Sequence, residues 1–262
     1  MVTRHLQPHA LVTGATAGIG REFALQLAAL GYDLTLVARD RARLTELANE
    51  LEASRGVAVT VFPADLSSDG DTSRVVEYIA AHPVDVLVNN AGFGHAGRVG
   101  VMSHDMQDAM VRLHVLAVHR LTQSALPGML ERKAGSVIIV SSVASYLKSP
   151  GNVNYCATKA YDRTFAEGLA LETARHGIYV QALCPGFTHT ELHARAKVDK
   201  GRMPAWLWMT ADRVVAQSLS AMRAKRPTVV IPGRRYLWIV LVARYAPKWL
   251  MRLITGRYRR DR

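Results

Sequence analysis

The chain is poor in cysteine, with Cys156 and Cys184 the two among 262 residues. Two thiols in apolar or motif-dense segments make neither a disulfide framework nor a zinc site, and they read as small buried side chains. Long hydrophobic runs are also missing. The apolar stretch Tyr236 to Ala243 is eight residues long, far short of the ~20 a bilayer span needs. Met1 to Pro8 is short and polar and runs straight into an apolar strand. It reads as no signal peptide, and the expectation is a cytosolic protein. Low-complexity tracts and internal repeats are absent. With 49% hydrophobic and 21% charged residues, a chain dominated by disorder is excluded.

Acidic residues are nearly absent from one end. From Arg223 onward there are 12 of the 33 Lys and Arg but one of the 21 acids, Asp261. The formal charge of +12 therefore sits in the tail, on an almost neutral body. No recognition motif accompanies it, so nucleic acid is not expected as a partner. A basic arm is a solvated face or an anion-attracting surface.

What is present is alternation. Short β-branched runs at His9–Thr13, Asp33–Ala38, Val57–Phe62, Val84–Asn89, Ser136–Ser141, Ile178–Cys184 and Thr228–Ile231 are separated by longer segments. In those segments apolar residues recur at helical spacing, as in Phe23, Leu27, Leu30 and Leu44, Leu47, Leu51. Strands apolar throughout suit a parallel sheet buried on both faces. The expected fold is α/β, a doubly wound parallel sheet of about seven strands. Residues 1–232 would form it, with 233–262 a basic amphipathic extension. Ligands of such sheets sit at the carboxyl ends of the strands.

The unusual residues fall at those ends. The first strand runs into Thr13-Gly14-Ala15-Thr16-Ala17-Gly18-Ile19-Gly20 and then a helix. Gly14 permits the tight turn, Gly18 lets a pyrophosphate approach the backbone, and Gly20 lets helix and strand pack closely. Free N–H groups at the helix start attract the phosphates, so a dinucleotide is the expected cofactor. The second strand ends Ala38-Arg39-Asp40. An arginine there suits a 2′-phosphate and favours NADP(H), while Asp40 leaves NAD(H) open. Asp65 and Leu66, past the third strand, are candidates to flank the adenine. Tyr155 and Lys159 stand four apart at the start of a helical segment, on one face. An ammonium near a phenol stabilises the phenolate and brings it toward useful proton-transfer chemistry. Ser142, at the end of the preceding strand, can donate to the same substrate oxygen.

Taken together, these residues resemble the short-chain dehydrogenase/reductase family, over roughly residues 8–230. The matching pieces are the Thr13–Gly20 turn, Asn89-Asn90-Ala91-Gly92, Ser142, Tyr155-x-x-x-Lys159 and Pro185-Gly186. The resemblance implies a Rossmann-like fold and an enzyme interconverting carbonyl and alcohol. It implies Tyr155 as general acid/base, Ser142 as oxyanion donor, and Lys159 as ligand of the nicotinamide ribose. It also implies that Asn90 supports the cofactor, and that Thr188 and Thr190 contact its carboxamide or phosphates. One position departs from the pattern. The family's asparagine 24 residues after Asn90 is here His114, whose imidazole is expected to hold a relay water or join the relay itself, the alternative being a helix histidine with no part in catalysis.

The substrate is expected to be small and hydrophobic, ketoacyl- or steroid-like. Met203-Pro204-Ala205-Trp206-Leu207-Trp208-Met209 reads either as an apolar cover over the site or as core packing. Phe93 and the loop Val143–Asn152 are expected as further walls. In the extension, a second amphipathic piece starts at Pro247. Its tryptophan, leucines and basic residues suit a membrane interface, a subunit contact or a flap. The resemblance implies a homodimer or homotetramer. The competing reading is an NADP-binding sensor that docks partners through the tail without turnover.

Overall fold

The computed structural model describes residues 7–189 and 204–245. Its seven strands are β1 (His9–Thr13), β2 (Asp33–Ala38), β3 (Val59–Pro63), β4 (Val86–Asn89), β5 (Gly135–Val140), β6 (Ile178–Leu183) and β7 (Val229–Val230). They form one parallel sheet in the order β3-β2-β1-β4-β5-β6-β7. From β1 the chain builds outward to β3, then returns to place β4 on the other side of β1. This reversal opens a crevice at the carboxyl ends of β1 and β4. The ladders of β3 and β4 begin two residues later than the hydropathy suggests. Val57 and Val84 are buried but precede the first ladder pairs, Leu34 with Val59 and Ala10 with Val86. Hydropathy marks burial, whereas ladder pairing also needs a neighbouring strand in register.

Each face of the sheet carries its own apolar layer. Ala10, Val12, Leu34 and Leu36 point to one layer with Phe23 and Leu27 of α1 (Gly18–Ala29) and Leu44 and Leu51 of α2 (Arg41–Arg55). Leu11, Val37 and Leu87 point to the other, with residues of α3 (Asp69–Ala81), α5 (Val118–Arg132) and α6 (Val153–Thr173). The two-residue alternation of side chains along each strand makes this division. Helix ends are set locally. Asp40 caps α2 by accepting from the Arg43 N–H at 3.1 Å, and Gly56 ends it at φ 67°.

After α7 (Ala211–Ala224) and β7, the chain forms α8 (Arg234–Tyr245). One face of α8 is core: Tyr236 is 2% exposed and Val240 5%. The ring of Tyr236 occupies the space where a Cβ on Gly186 would stand. Its hydroxyl accepts from the Phe187 N–H at 2.8 Å and donates to the Leu207 carbonyl. Arg235 Nη2 adds a bond to the Trp208 carbonyl at 3.2 Å. Helix α8 therefore holds together both flanks of the segment between β6 and α7. The second amphipathic piece, from Pro247, lies outside the described residues.

Removing the phenol oxygen in Tyr236→Phe keeps the ring against Gly186 but strips the partner from Phe187 N–H and Leu207 O. Equilibrium denaturation should show a loss of about 1–3 kcal/mol. An unchanged midpoint would mean that water replaces both bonds.

Candidate active site

The first βα turn is tied down from below. Gly14 N–H donates to the Val37 carbonyl at 2.7 Å as the chain leaves β1. Gly14 and Gly18 adopt φ of 66° and 54°, in the left-handed region that side chains with a Cβ disfavour. A Cβ on Gly20 would run into the Gly14 carbonyl and Asn90 Nδ2, so the start of α1 packs against the turn with no spare room. Helices α2, α3 and α4 (His104–Val111) each have a side chain capping the first turn, from Asp40, Ser68 and Ser103. Helix α1 has none at Ala17 and no acid in its first turn. Its leading N–H groups, around Thr16, Ala17, Gly18 and Ile19, suit the pyrophosphate of a dinucleotide.

Thr13 joins this turn to the loop after β4. Its Oγ1 donates to the Val88 carbonyl at 3.2 Å and accepts from the Asn90 and Ala91 N–H groups, both at 2.9 Å. Asn90 Nδ2 returns to the Thr13 and Gly14 carbonyls at 2.8 and 3.3 Å. One buried hydroxyl thus pins two loops across the crevice. At the outer edge, Arg39 is exposed and its Nη1 lies 4.0 Å from Asp65 Oδ2. Asp65 Oδ1 accepts from Ser67 N and Oγ, and Leu66 beside it is buried.

Ser142, Tyr155 and Lys159 stand just beyond β5 and on the first turns of α6. Ser142 Oγ accepts from Ala144 N–H at 3.1 Å, a bond that does not use its own proton. Tyr155 is half-buried. Lys159 is buried, and its Nζ donates to the Val140 carbonyl and to Asp162 Oδ2, each at 2.9 Å. Asp162 is fully buried, and its Oδ1 has no partner among the described residues. Burial pushes its carboxyl up to about 6, while the ammonium of Lys159 pulls the other way. The two side chains form one salt bridge sunk beneath the site. Ser141 Oγ, donating to the Lys159 carbonyl at 2.7 Å, fixes α6 to the end of β5.

His114 lies in a widened, π-helical turn, Arg112–Ala117, and has no exposed surface. Its Nε2 accepts from the Phe93 N–H at 3.1 Å. That bond leaves the ring proton on Nδ1, which lies 3.0 Å from Thr158 Oγ1. Thr158 in turn donates to the Tyr155 carbonyl at 3.0 Å. The polar chain runs from the Asn-Asn-Ala-Gly loop to the backbone of Tyr155. Both imidazole nitrogens are engaged, so the relay water expected on the ring would have to break one of these bonds. Burial, then the nearby Lys159 charge, holds His114 well below its usual pKa of 6.5, so the ring is neutral.

The segment after β6 divides. Thr188 is buried, bonds to the Gly186 carbonyl at 3.0 Å and bridges to Met209. Trp208 and Met209 are buried, with the Trp208 ring 5.5 Å from Phe187 and 5.0 Å from His189. Trp206 is 59% exposed. Of the apolar stretch, the last two residues are core and Trp206 is free to face a ligand. Thr190 and Met203 lie outside the described residues. No site role is legible in the sequence for Thr13, Thr158 or Tyr236. Asp162, three residues beyond Lys159 and so on the same helix face, carried a signal that could have found it.

A neutral buried histidine makes stability pH-dependent with a definite sign. Below the ordinary value of 6.5 the unfolded chain takes up a proton that the folded chain refuses, so stability falls as pH drops. His114→Asn should flatten that slope by up to about 1.4 kcal/mol per pH unit. Thermal unfolding midpoints of both proteins across pH 5–8 measure it, and parallel curves would contradict the neutral assignment.

The family model described as short chain dehydrogenase matches residues 8–201. A very-long-chain 3-oxoacyl-CoA reductase from Pyrenophora tritici-repentis is 34% identical over 73% of this chain, which spans 57% of that protein's length. A short-chain dehydrogenase from Sphingobium yanoikuyae, solved in complex with NADPH, superposes with a TM-score of 0.83 at 33% identity, covering 93% of this chain and 95% of that one. The bulky-bulky ketone specific alcohol dehydrogenase from Comamonas testosteroni gives 0.77 at 29% identity, covering 97% and 95%. The chain belongs to the short-chain dehydrogenase family, oxidoreductases that interconvert an alcohol and a carbonyl.

Proposed function

We infer that this protein uses NADP(H) to interconvert a hydrophobic ketone and its alcohol. The observation that carries the reading is the crevice itself. The glycine turn, the Asn90 loop, Ser142 and the Tyr155–Lys159 face of α6 all meet at the carboxyl ends of β1, β4 and β5. The residues present fit a dinucleotide, given the uncapped start of α1 and the close fit at Gly14 and Gly20. Thr188 belongs to the cradle in this reading, with Pro185 and Gly186 turning the chain toward it, and Thr190, outside the described residues, keeps the contact role that the family resemblance implies. When bound, the coenzyme supplies or accepts hydride.

Everything else falls to this chain. Tyr155 exchanges the proton at the substrate oxygen, and Ser142 donates a second hydrogen bond to it. Lys159 holds the ribose and keeps positive charge near the phenol. Asp162 and the Val140 carbonyl restrict where its ammonium sits. His114 serves as a positioning residue, through Thr158 and the backbone of Tyr155. Preference for the phosphorylated coenzyme rests on exposed Arg39 at the end of β2, where Asp40 is committed to capping α2. The NADPH complex of the Sphingobium relative supports the same choice. The relatives named as a very-long-chain 3-oxoacyl-CoA reductase and a bulky-bulky ketone specific alcohol dehydrogenase support a hydrophobic carbonyl substrate. Trp206 and Phe93 would be among its walls.

Buried, unbridged Cys156 and Cys184 suit a reducing, cytosolic setting. Exposed Leu116, Leu130 and Leu171, the last 82% exposed on α6, suit assembly into a dimer or tetramer through the long helices.

Turnover of hydrophobic ketones with NADPH should fall about a hundredfold or more in Tyr155→Phe, with coenzyme affinity kept. Fluorescence titration separates the two effects. NADPH binding without wild-type turnover on a broad panel would favour the sensor reading. Arg39→Asp should weaken NADPH binding about ten- to a hundredfold and spare NADH. An equal loss for both coenzymes would remove the argument for the 2′-phosphate.

A further inference from the structure

Helix α8 presents apolar residues both to the core and to solvent. Tyr236 and Val240 are core, whereas Leu237, Trp238, Leu241, Val242 and Tyr245 are exposed by 37–72%. These five follow the spacing i, i+1, i+4, i+5, i+8, so they form one continuous outer stripe.

Beside the stripe is a cavity of about 280 Å³ lined by Ser145, Tyr146, Lys148, Arg163 and Arg244. It lies where the turn Val143–Tyr146, α6 and α8 meet. The Arg163 guanidinium stacks on the Tyr146 ring at 4.4 Å. One of its terminal nitrogens binds Glu167 at 2.9 Å, but its buried Nε has no hydrogen-bond partner among the described residues. Three cations thus line one wall, and Glu167 pairs with Arg163 among them. A polar pocket with excess positive charge and a spare buried donor is suited to a phosphate group.

We propose that the outer face of α8 and this cavity form a docking site for an anionic phospholipid surface. Leu237, Trp238, Leu241, Val242 and Tyr245 enter the interfacial layer, and Lys148, Arg163 and Arg244 hold a lipid phosphate at its edge. Tryptophan and tyrosine suit this depth because their rings are apolar and their N–H or O–H tips polar. Charge selects this occupant over a second copy of the chain. Lys148, Arg163 and Arg244 stand beside the stripe, and α8 itself opens on Arg234 and Arg235. Pairing two such faces would bring like charges together, whereas an anionic leaflet neutralises them. The proposal does not depend on the coenzyme or substrate reading.

The test is sedimentation of the full-length protein with phosphatidylcholine vesicles and with vesicles that also contain phosphatidylglycerol. The expected result is binding to the anionic vesicles alone, weakened by salt. Arg244→Ala and Lys148→Ala should each weaken it about fivefold. Leu237→Glu with Leu241→Glu should abolish it while unfolding midpoint and ketone turnover stay unchanged. Calorimetric titration with inorganic phosphate separates a free-phosphate site, which would bind equally well without a vesicle and overturn the lipid assignment. Wild-type binding by the α8 variants would assign the attraction to the tail alone and overturn the proposal. A dimer that Leu241→Glu splits, in a protein that ignores vesicles, would show that a second copy covers the stripe and would overturn it too.

Discussion

The hydroxyl of Thr13 is a small group on which much of the site depends. By donating to β4 and accepting from Asn90 and Ala91 it fixes the separation of the two loops that border the crevice. The loop after Asn90 then hands its Phe93 N–H to His114, and the chain of bonds continues through Thr158 to the backbone of Tyr155. A glycine turn fit for phosphates and a tyrosine fit for proton exchange are thereby set in one frame. Thr13, His114 and Thr158 are buried, so the bonds they make are stronger than they would be at the surface, and an unmet partner there would cost more.

The frame encloses an ion pair. Lys159 and Asp162 are both buried, and such a pair is weak support for stability because two charges have lost their hydration. Its value is positional. The Lys159 ammonium has three donors, and two are committed to Val140 O and Asp162 Oδ2, which leaves one for the site. Burial raises the Asp162 carboxyl to about 6, so the hold on Lys159 loosens as pH falls through that value. The neutral His114 nearby keeps a second positive charge away from the same ammonium.

The C-terminal helix reaches the site indirectly. Tyr236 fills the space left by Gly186 and clasps Phe187 and Leu207, so the segment that follows β6 is anchored at both of its described ends. Tyr236 thus shapes the neighbourhood of a turn 49 positions earlier in the chain. The opposite face of the same helix remains apolar and exposed.

The layered α/β plan is legible from residue order alone, since runs such as Leu34–Val37 and Val86–Asn89 are apolar enough to be buried on both sides. So are the glycine turn and the Tyr155–Lys159 face, because their spacing is local and their conformational demands are read from residue type. Tertiary structure decided the rest. Whether Asp40 faces a ribose or caps α2, and whether Trp208 covers a ligand or joins the core, are decided by packing partners distant in sequence. The same is true of His114, whose two ring nitrogens found Phe93 and Thr158, 21 and 44 residues away. Tyr236 gave no sign of its partners for the same physical reason. Hydrogen bonds between remote segments depend on how the layers dock, and nothing in the local pattern encodes that.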